Sequence, residues 1–170
     1  YCRGMGEGPS SMPADRIITR EQLACMLLPL ADPALRWEGY DDEDCGDALR
    51  IAVGNGFLAP ENRTGPEGHV SGAHAYDHAP RLMPDGHVTR QEMATVAMQA
   101  CGVNYRNASS TMPVCADAAL VNNNYGTNVA RALYFGFMSL EPDGCFKPRR
   151  PVTIGEAAGI LNRVADFAGI

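Results

Sequence analysis

The sequence VTRQE at residues 88–92 recurs with small changes as ITREQ at 18–22 and VTIGE at 152–156. In each copy a threonine follows Ile or Val, and a Gln or Glu stands three residues after that threonine. The threonine hydroxyl can accept from the third amide of a helix while the Gln or Glu accepts from the threonine amide, which is a capping box. The pattern therefore predicts three helix starts. The predicted capping residues are Thr19, Thr89, Thr153, Glu92 and Glu156.

An apolar face follows each of the three starts. Apolar residues recur four, seven, eight and eleven positions after each threonine, which is the spacing of one buried face of an α-helix. We expect the three faces to meet in one core, and we expect Pro29 to end the first helix early. The expected core residues are Leu23, Leu27, Val96, Ala97, Ile160 and Leu161.

A shorter helical pattern precedes the second and third of these helices. Residues 49–57 and 129–137 share their apolar positions, and each stretch holds a glycine near its end, Gly56 or Gly136, that is typical of a helix C-cap. The link to the next threonine is longer in the first of the two copies. This difference predicts a loop insertion near residues 59–81.

Composition and charge restrict the classes of function. The chain has 170 residues, 45% of them hydrophobic and 20% charged, as in an ordinary globular domain. Its formal net charge of -6 disfavours broad nucleic-acid binding, which needs a basic face. No apolar run is long enough to span a membrane. We therefore expect neither nucleic acid nor membrane as a partner, and the oligomeric state stays unknown.

Chemistry-bearing residues give little support to an enzyme or a metal site. No Ser/His/Asp arrangement or glycine-rich phosphate loop stands out, so we expect no catalytic residues and no cofactor. His69, His74 and His78 lie in the insertion, in a stretch rich in Gly, Ala and Pro that is typical of a loop. We predict no metal there.

The six cysteines include no C-x-x-C pair. Their even number and scattered positions favour an oxidising compartment with up to three disulfides. The alternative is that several are small buried apolar side chains in a reducing compartment. Cys101 and Cys115 are the candidate pair, because a short connection joins the helix ends that carry them.

These motifs resemble the S-layer homology domain. Its repeat reads approximately aromatic-x-Asp, a short helix ending in Asn-Gly, Asp-Gly-x-Phe-x-Pro, and Ile-Thr-Arg-Ala-Glu at the start of a longer helix. Residues 143–148 read DGCFKP, residues 40–42 read YDD and residues 55–57 read NGF. The chain departs from the pattern at Cys115, which replaces the aromatic residue, and at Ile154, which replaces the Arg.

The resemblance implies an all-α fold, a pseudo-threefold bundle of tandem helix-loop-helix repeats shaped like a three-pronged spindle. One domain then spans residues 1–170, with a partial first repeat at 1–36, a second at 37–104 and a third at 105–170. The repeat implies a secreted, extracellular module at the bacterial cell surface or cell wall. Such a module anchors its protein non-covalently by binding an acidic secondary cell-wall polysaccharide, for example a pyruvylated one.

Two other functions stay open. The first is a degenerate module of the same fold that mediates protein–protein contact or surface-layer assembly, because one Arg position is lost and the second repeat is remodelled. The second is a hydrolase that acts on wall glycan.

The residue after the capping threonine is the most informative candidate for binding. A cation there gains nothing from the helix dipole, so Arg20 and Arg90 beside open helix amides predict a carboxylate site. The alternative is an arginine that is solvated or paired with Asp42 or Asp117. We expect two unequal grooves, because Ile154 cannot donate. The candidate ligand-binding residues are Arg20, Arg90, Asp42, Asp117, Gly56 and Gly136.

Overall fold

A computed structural model of the protein describes residues 13–31, 42–58, 82–102, 111 and 113–169. These residues form helices and no strand, so the described part of the chain is all-α, as predicted. A short 3₁₀ turn covers Ala118–Leu120. The helices are α1 (Arg20–Ala31), α2 (Asp42–Gly54), α3 (Arg90–Ala100), α4 (Asn123–Tyr134) and α5 (Ile154–Ala168).

The three long-helix starts lie directly after Thr19, Thr89 and Thr153, and each threonine bonds the residue three positions on. Thr153 Oγ1 accepts from the Glu156 amide at 3.2 Å, and the Thr153 amide donates to the Glu156 carboxylate at 2.9 Å. Thr19 and Gln22 exchange the same two bonds. At Thr89 both the amide and the hydroxyl donate to Glu92 Oε2, each at 2.7 Å. Local sequence therefore determines where these helices begin.

The first two amides of each long helix donate to the loop that precedes a different long helix. The acceptors lie three and five residues before that helix's capping threonine, so α1 bonds the loop before α3, α3 the loop before α5, and α5 the loop before α1. These bonds close a ring that joins the two ends of the described chain. They run from Arg20 to Gly86, Glu21 to Pro84, Arg90 to Arg150, Gln91 to Pro148, Ile154 to Arg16 and Gly155 to Ala14, at 2.8–3.1 Å.

The three long helices contact one another around a single core. All six expected core residues are buried in it, together with the large rings of Phe137 and Phe146. The short helices lie outside, with α2 against α1 and α4 against α3. Each short helix thus packs on the long helix before it in the chain. Gly56 and Gly136 follow α2 and α4 with positive φ, as C-cap glycines do.

The prediction for Pro29 is wrong, because α1 continues through it to Ala31. Pro29 has no N–H to donate within the helix, and its ring crowds the carbonyl four residues earlier. Leu27 and Leu28, just before Pro29, are buried, and Leu30, just after it, packs partly against the core. Packing therefore outweighs the lost bond.

Gly155 provides a test of the ring between the helix starts. A Cβ at Gly155 would lie 3.0 Å from both Ala14 Cβ and Ala14 O, whereas a Cβ at Gly126 in α4 would meet nothing within 4 Å. Replacing a helical Gly by Ala normally stabilises by about 0.5–1 kcal/mol. We expect Gly126→Ala to raise the free energy of unfolding by that amount and Gly155→Ala to lower it, as measured by chemical denaturation. Equal stabilisation by both changes would contradict the close approach.

Candidate functional site

A cavity of about 410 Å³ opens between the start of α3, the segment after α4 and one face of α5. The segment 138–142 forms one wall, and residues one or two helical turns apart on α5 form the opposite wall. The cavity is lined by Arg90, Met138, Ser139, Leu140, Glu141, Pro142, Glu156, Ile160 and Arg163.

Arg90 lies at the inner end of this cavity and is only 7% exposed. Its Nε donates to the Phe146 carbonyl and its Nη2 to the Ser139 carbonyl, both at 2.7 Å. The guanidinium also lies over the Phe146 ring, 5.0 Å from the ring centre. Arg90 therefore ties the start of α3 to Ser139 in the 138–142 wall and to Phe146, four residues beyond that wall.

Arg90 belongs to a balanced group of two arginines and two carboxylates. Its Nη1 lies 3.6 Å from Glu141 and 3.9 Å from Glu156. Arg150 Nη2 contacts both carboxylates as well, Glu141 at 3.0 Å and Glu156 more closely. Burial raises the pKa of Glu156, but hydrogen bonds from Arg150 and the Thr153 amide outweigh burial, and the pKa lies below its ordinary value. These four charges neutralise one another.

Arg163 differs from the other arginine of the cavity lining because its side chain is exposed. Its Nε donates to the Phe137 carbonyl at 3.0 Å, which fixes the side chain along the cavity wall. Within the described ranges no carboxylate lies within 4.0 Å of its guanidinium nitrogens, and the sequence reasoning did not single it out. It is the one charged lining residue outside the four-charge group, so the cavity carries a local positive charge.

Arg20 has the same relation to its neighbouring loop as Arg90. It is 3% exposed, and its Nε donates to the Leu82 carbonyl, seven residues before Thr89, as Phe146 lies seven before Thr153. Ile154, at the third such position, is also buried. The residue after each capping threonine is therefore buried at the loop to which its own helix start is hydrogen-bonded.

The premise that the helix amides are open to a ligand is wrong. The first two amides of each long helix bond loop carbonyls, because the ring between the helix starts uses them. Both guanidinium groups likewise have backbone partners. Ligand contact by Arg20 and Arg90 stays a prediction, now without these amides.

Asp117 organises the turn at 143–147. Its two carboxylate oxygens accept from the amides of Phe146 and Lys147, each at 2.7 Å, and from the Cys115 thiol at 3.1 Å. Burial raises the pKa of Asp117, but these hydrogen bonds outweigh burial and the pKa lies below its ordinary value. In the described structure Asp117 makes no ion pair with Arg20 or Arg90. The Asp42 side chain lies outside the described residues, as do His69, His74 and His78.

The expected disulfide between Cys101 and Cys115 is wrong, because both residues are thiols in the structure. Cys101 is buried in the core at the end of α3, whereas the Cys115 sulfur turns toward Asp117. Cys25 is also buried, and burial and the charge of Glu21 raise the pKa of its thiol to about 11. Cys25 and Cys101 thus match the alternative reading of small apolar core residues.

Metal binding and membrane insertion find no support in the described part of the chain. No cluster of three or more His, Cys, Asp or Glu side chains there is placed to hold a metal ion. Among the described helices, none combines the length and apolar character that a membrane span requires.

Replacing Arg90 by Ala removes two charge-assisted bonds and leaves two carbonyls and two carboxylates short of a partner. We expect Arg90→Ala to lower the free energy of unfolding by about 3 kcal/mol. Arg149 is exposed, and Arg149→Ala is the matched control with an expected change below about 0.5 kcal/mol. Denaturant unfolding of both variants measures the difference. A loss from Arg90→Ala as small as that of the control would contradict the structural role.

Asp117 predicts a specific acid sensitivity. Because its folded pKa is depressed, its contribution to stability is complete above its ordinary pKa of 3.8 and is lost as the pH falls through the lower folded value. We expect Asp117→Asn to be less stable than the parent at neutral pH and the gap to shrink below about pH 4. Thermal unfolding across this pH range measures the gap. A gap that stays constant with pH would contradict the assignment.

Comparison with known families gives one match. Residues 121–158 match the family model of the S-layer homology domain. The matched segment contains α4, the Asp117-bonded turn at 143–147, most of the cavity wall and the start of α5. No curated protein matches the chain.

Proposed function

We propose that this chain holds its protein at the bacterial cell wall by binding an acidic secondary cell-wall polysaccharide in the cavity beside Arg163. The match of residues 121–158 to the S-layer homology domain supports this proposal, because that domain is generally a binding module that anchors proteins to the wall. A protein with this domain is associated with the bacterial surface or wall. Beyond wall association, the proposal specifies an acidic ligand and the cavity as its binding site.

The observation that carries the proposal is the exposed guanidinium of Arg163 in a cavity whose other charges are balanced. A net charge of -6 repels an acidic polymer in general, so binding needs a local cation. Arg163 can present two parallel N–H donors to a carboxylate, such as that of a pyruvyl ketal on a sugar. Arg90 is nearly buried and bonds the cavity wall, so a ligand could reach only the exposed edge of its guanidinium group.

Apolar surface beside Arg163 suits the rings of a saccharide chain. Met138, Leu140 and Ile160 line the cavity, and Phe167 stands one helical turn beyond Arg163 on α5 with 48% of its surface exposed. Phe167 meets Phe135 edge to face, with ring centres 5.3 Å apart. Exposed apolar surface near a cavity is typical of ligand sites, and a polysaccharide longer than the cavity could extend along α5 toward Phe167.

We also propose that the three capped helices are the centre of a pseudo-threefold arrangement of tandem repeats over residues 1–170. The equivalent acceptors of the ring bonds support this, as do the positive φ angles of Met83 and Lys147, each six residues before its threonine. In such an arrangement Arg20 and the 82–86 loop would border a second groove. Gly56 would lie at that groove as Gly136 lies near the cavity described here.

Binding to the wall should depend on the arginine at position 163 and not on the total positive charge of the protein. Arg163→Ala removes a charge-assisted contact of roughly 1.5–3 kcal/mol, so we expect a ten- to hundredfold weaker association with purified wall sacculi, measured by co-sedimentation. Arg149→Ala removes the same charge from an exposed position outside the cavity lining and should bind within about twofold of the parent. Arg163→Ala also loses the bond to the Phe137 carbonyl, so its free energy of unfolding should fall by about 1 kcal/mol or less, and that of Arg149→Ala should stay within about 0.5 kcal/mol of the parent.

The control for the ligand class is sacculi from which the secondary polysaccharide has been removed. Binding that survives this removal would favour the module for protein contact or assembly. Unchanged binding by Arg163→Ala to intact sacculi would overturn the cavity as the site.

A further inference from the structure

Two cysteines lie on adjoining chain segments, one ahead of α4 and one ahead of α5. The amide of Ala116, the residue after Cys115, donates to the carbonyl of Gly144, the residue before Cys145, at 3.2 Å. This bond holds the backbone at residues 115–116 beside the backbone at 144–145. A disulfide needs Cα atoms about 4.4–6.8 Å apart, a range that adjoining backbone segments can meet.

The thiol of Cys115 also lies beside the backbone of Cys145. Its sulfur is 3.1 Å from Asp117 Oδ1, and the same oxygen accepts from the amide of Phe146, the residue after Cys145, at 2.7 Å. Cys115 and Cys145 are both partly exposed, unlike the buried Cys25 and Cys101. An oxidant from solvent can therefore reach both sulfurs without opening the core.

We propose that Cys115 and Cys145 form an intramolecular disulfide when the protein is exposed to a disulfide oxidant such as oxidised glutathione. One cysteine thiolate attacks the oxidant's S–S bond and releases one glutathione thiol. The second cysteine then displaces the other glutathione from the mixed disulfide. The two cysteines lose two electrons and two protons in total, and the oxidant becomes two thiols. Asp117 loses one sulfur donor and keeps both of its amide donors.

The bridge would brace the wall of the cavity. Cys145 O accepts from the Glu141 amide at 2.8 Å, so the turn that contains Glu141 and Pro142 is bonded to the crosslinked residue. The next residue, Phe146, accepts from Arg90. The bridge would close the chain from 115 to 145 around α4, and such a closure stabilises chiefly by restricting the unfolded chain.

Peptide mapping tests the pairing directly, because tryptic cleavage leaves each of the six cysteines on a different peptide. The full 170-residue chain is incubated folded with oxidised glutathione, alkylated, digested without reductant and analysed by mass spectrometry. We expect peptide 107–131 to be joined to peptide 132–149. Alkylated thiols on both peptides, or a bridge from Cys115 to any other peptide, would overturn the proposal.

Two variants separate this bridge from accidental oxidation. In Cys145→Ser the Cys115 peptide should be joined to no other peptide of the chain and should be found alkylated or carrying glutathione, the adduct that the missing cysteine would have displaced. In Cys101→Ala the 107–131 to 132–149 bridge should persist unchanged. Reductant should lower the midpoint of thermal unfolding of the oxidised parent and leave that of Cys115→Ser/Cys145→Ser unaltered. Equal midpoints for the oxidised and reduced parent would overturn the bracing role. None of these readouts involves polysaccharide, so they stand apart from the wall-binding experiment.

Discussion

The ring of backbone hydrogen bonds between the helix starts is the constraint on which the rest of the structure depends. Each long helix gives its first two amides to the loop before another long helix, so no helix start is complete without its neighbour. The capping threonine satisfies the third amide locally at α1 and α5. Because the loops bring their carbonyls to fixed positions, the residue after each threonine is buried. The ring also brings α5 against the first described residues, which is why Gly155 meets Ala14.

This constraint explains what the cavity can do. Arg90 reaches Ser139 in the cavity wall and Phe146 beyond it because its helix start is already bonded to the 148–150 loop. The carboxylates that neutralise Arg90 are held by Arg150, and Glu156 serves the α5 cap as well. Charge that is used for structure in this way is less available to a ligand. Arg163 lies two helical turns beyond Glu156 on α5, and it takes part in none of the ring's hydrogen bonds.

The helix starts and the core could be predicted from the local sequence pattern. The remaining features depend on contacts between residues that are far apart in the sequence. The capped starts of α1, α3 and α5 and their shared core follow from spacing alone, since Leu27, Ala97 and Leu161 each lie eight residues after a capping threonine. The packing of α4 on α3 does not, because the repeat pattern groups α4 with α5, the long helix that follows it, and α4 packs on the long helix before it. Arg90 carries the charge expected of a ligand residue, yet its burial follows from a loop 56 residues away. Cys115 likewise lies beside the turn at 143–147, which is about 30 residues away in the sequence, whereas the short connection to Cys101 had favoured a Cys101–Cys115 disulfide.

The central claim is that an acidic wall polysaccharide occupies the cavity between residues 138–142 and α5. Titration of the purified polysaccharide into isotope-labelled protein, followed by amide NMR, tests this most directly. The account predicts that the largest shifts fall on the 138–142 wall and around Ile160 and Arg163, with little change along α2. Shifts confined to other surfaces, or none at polysaccharide concentrations that saturate wall binding, would contradict it.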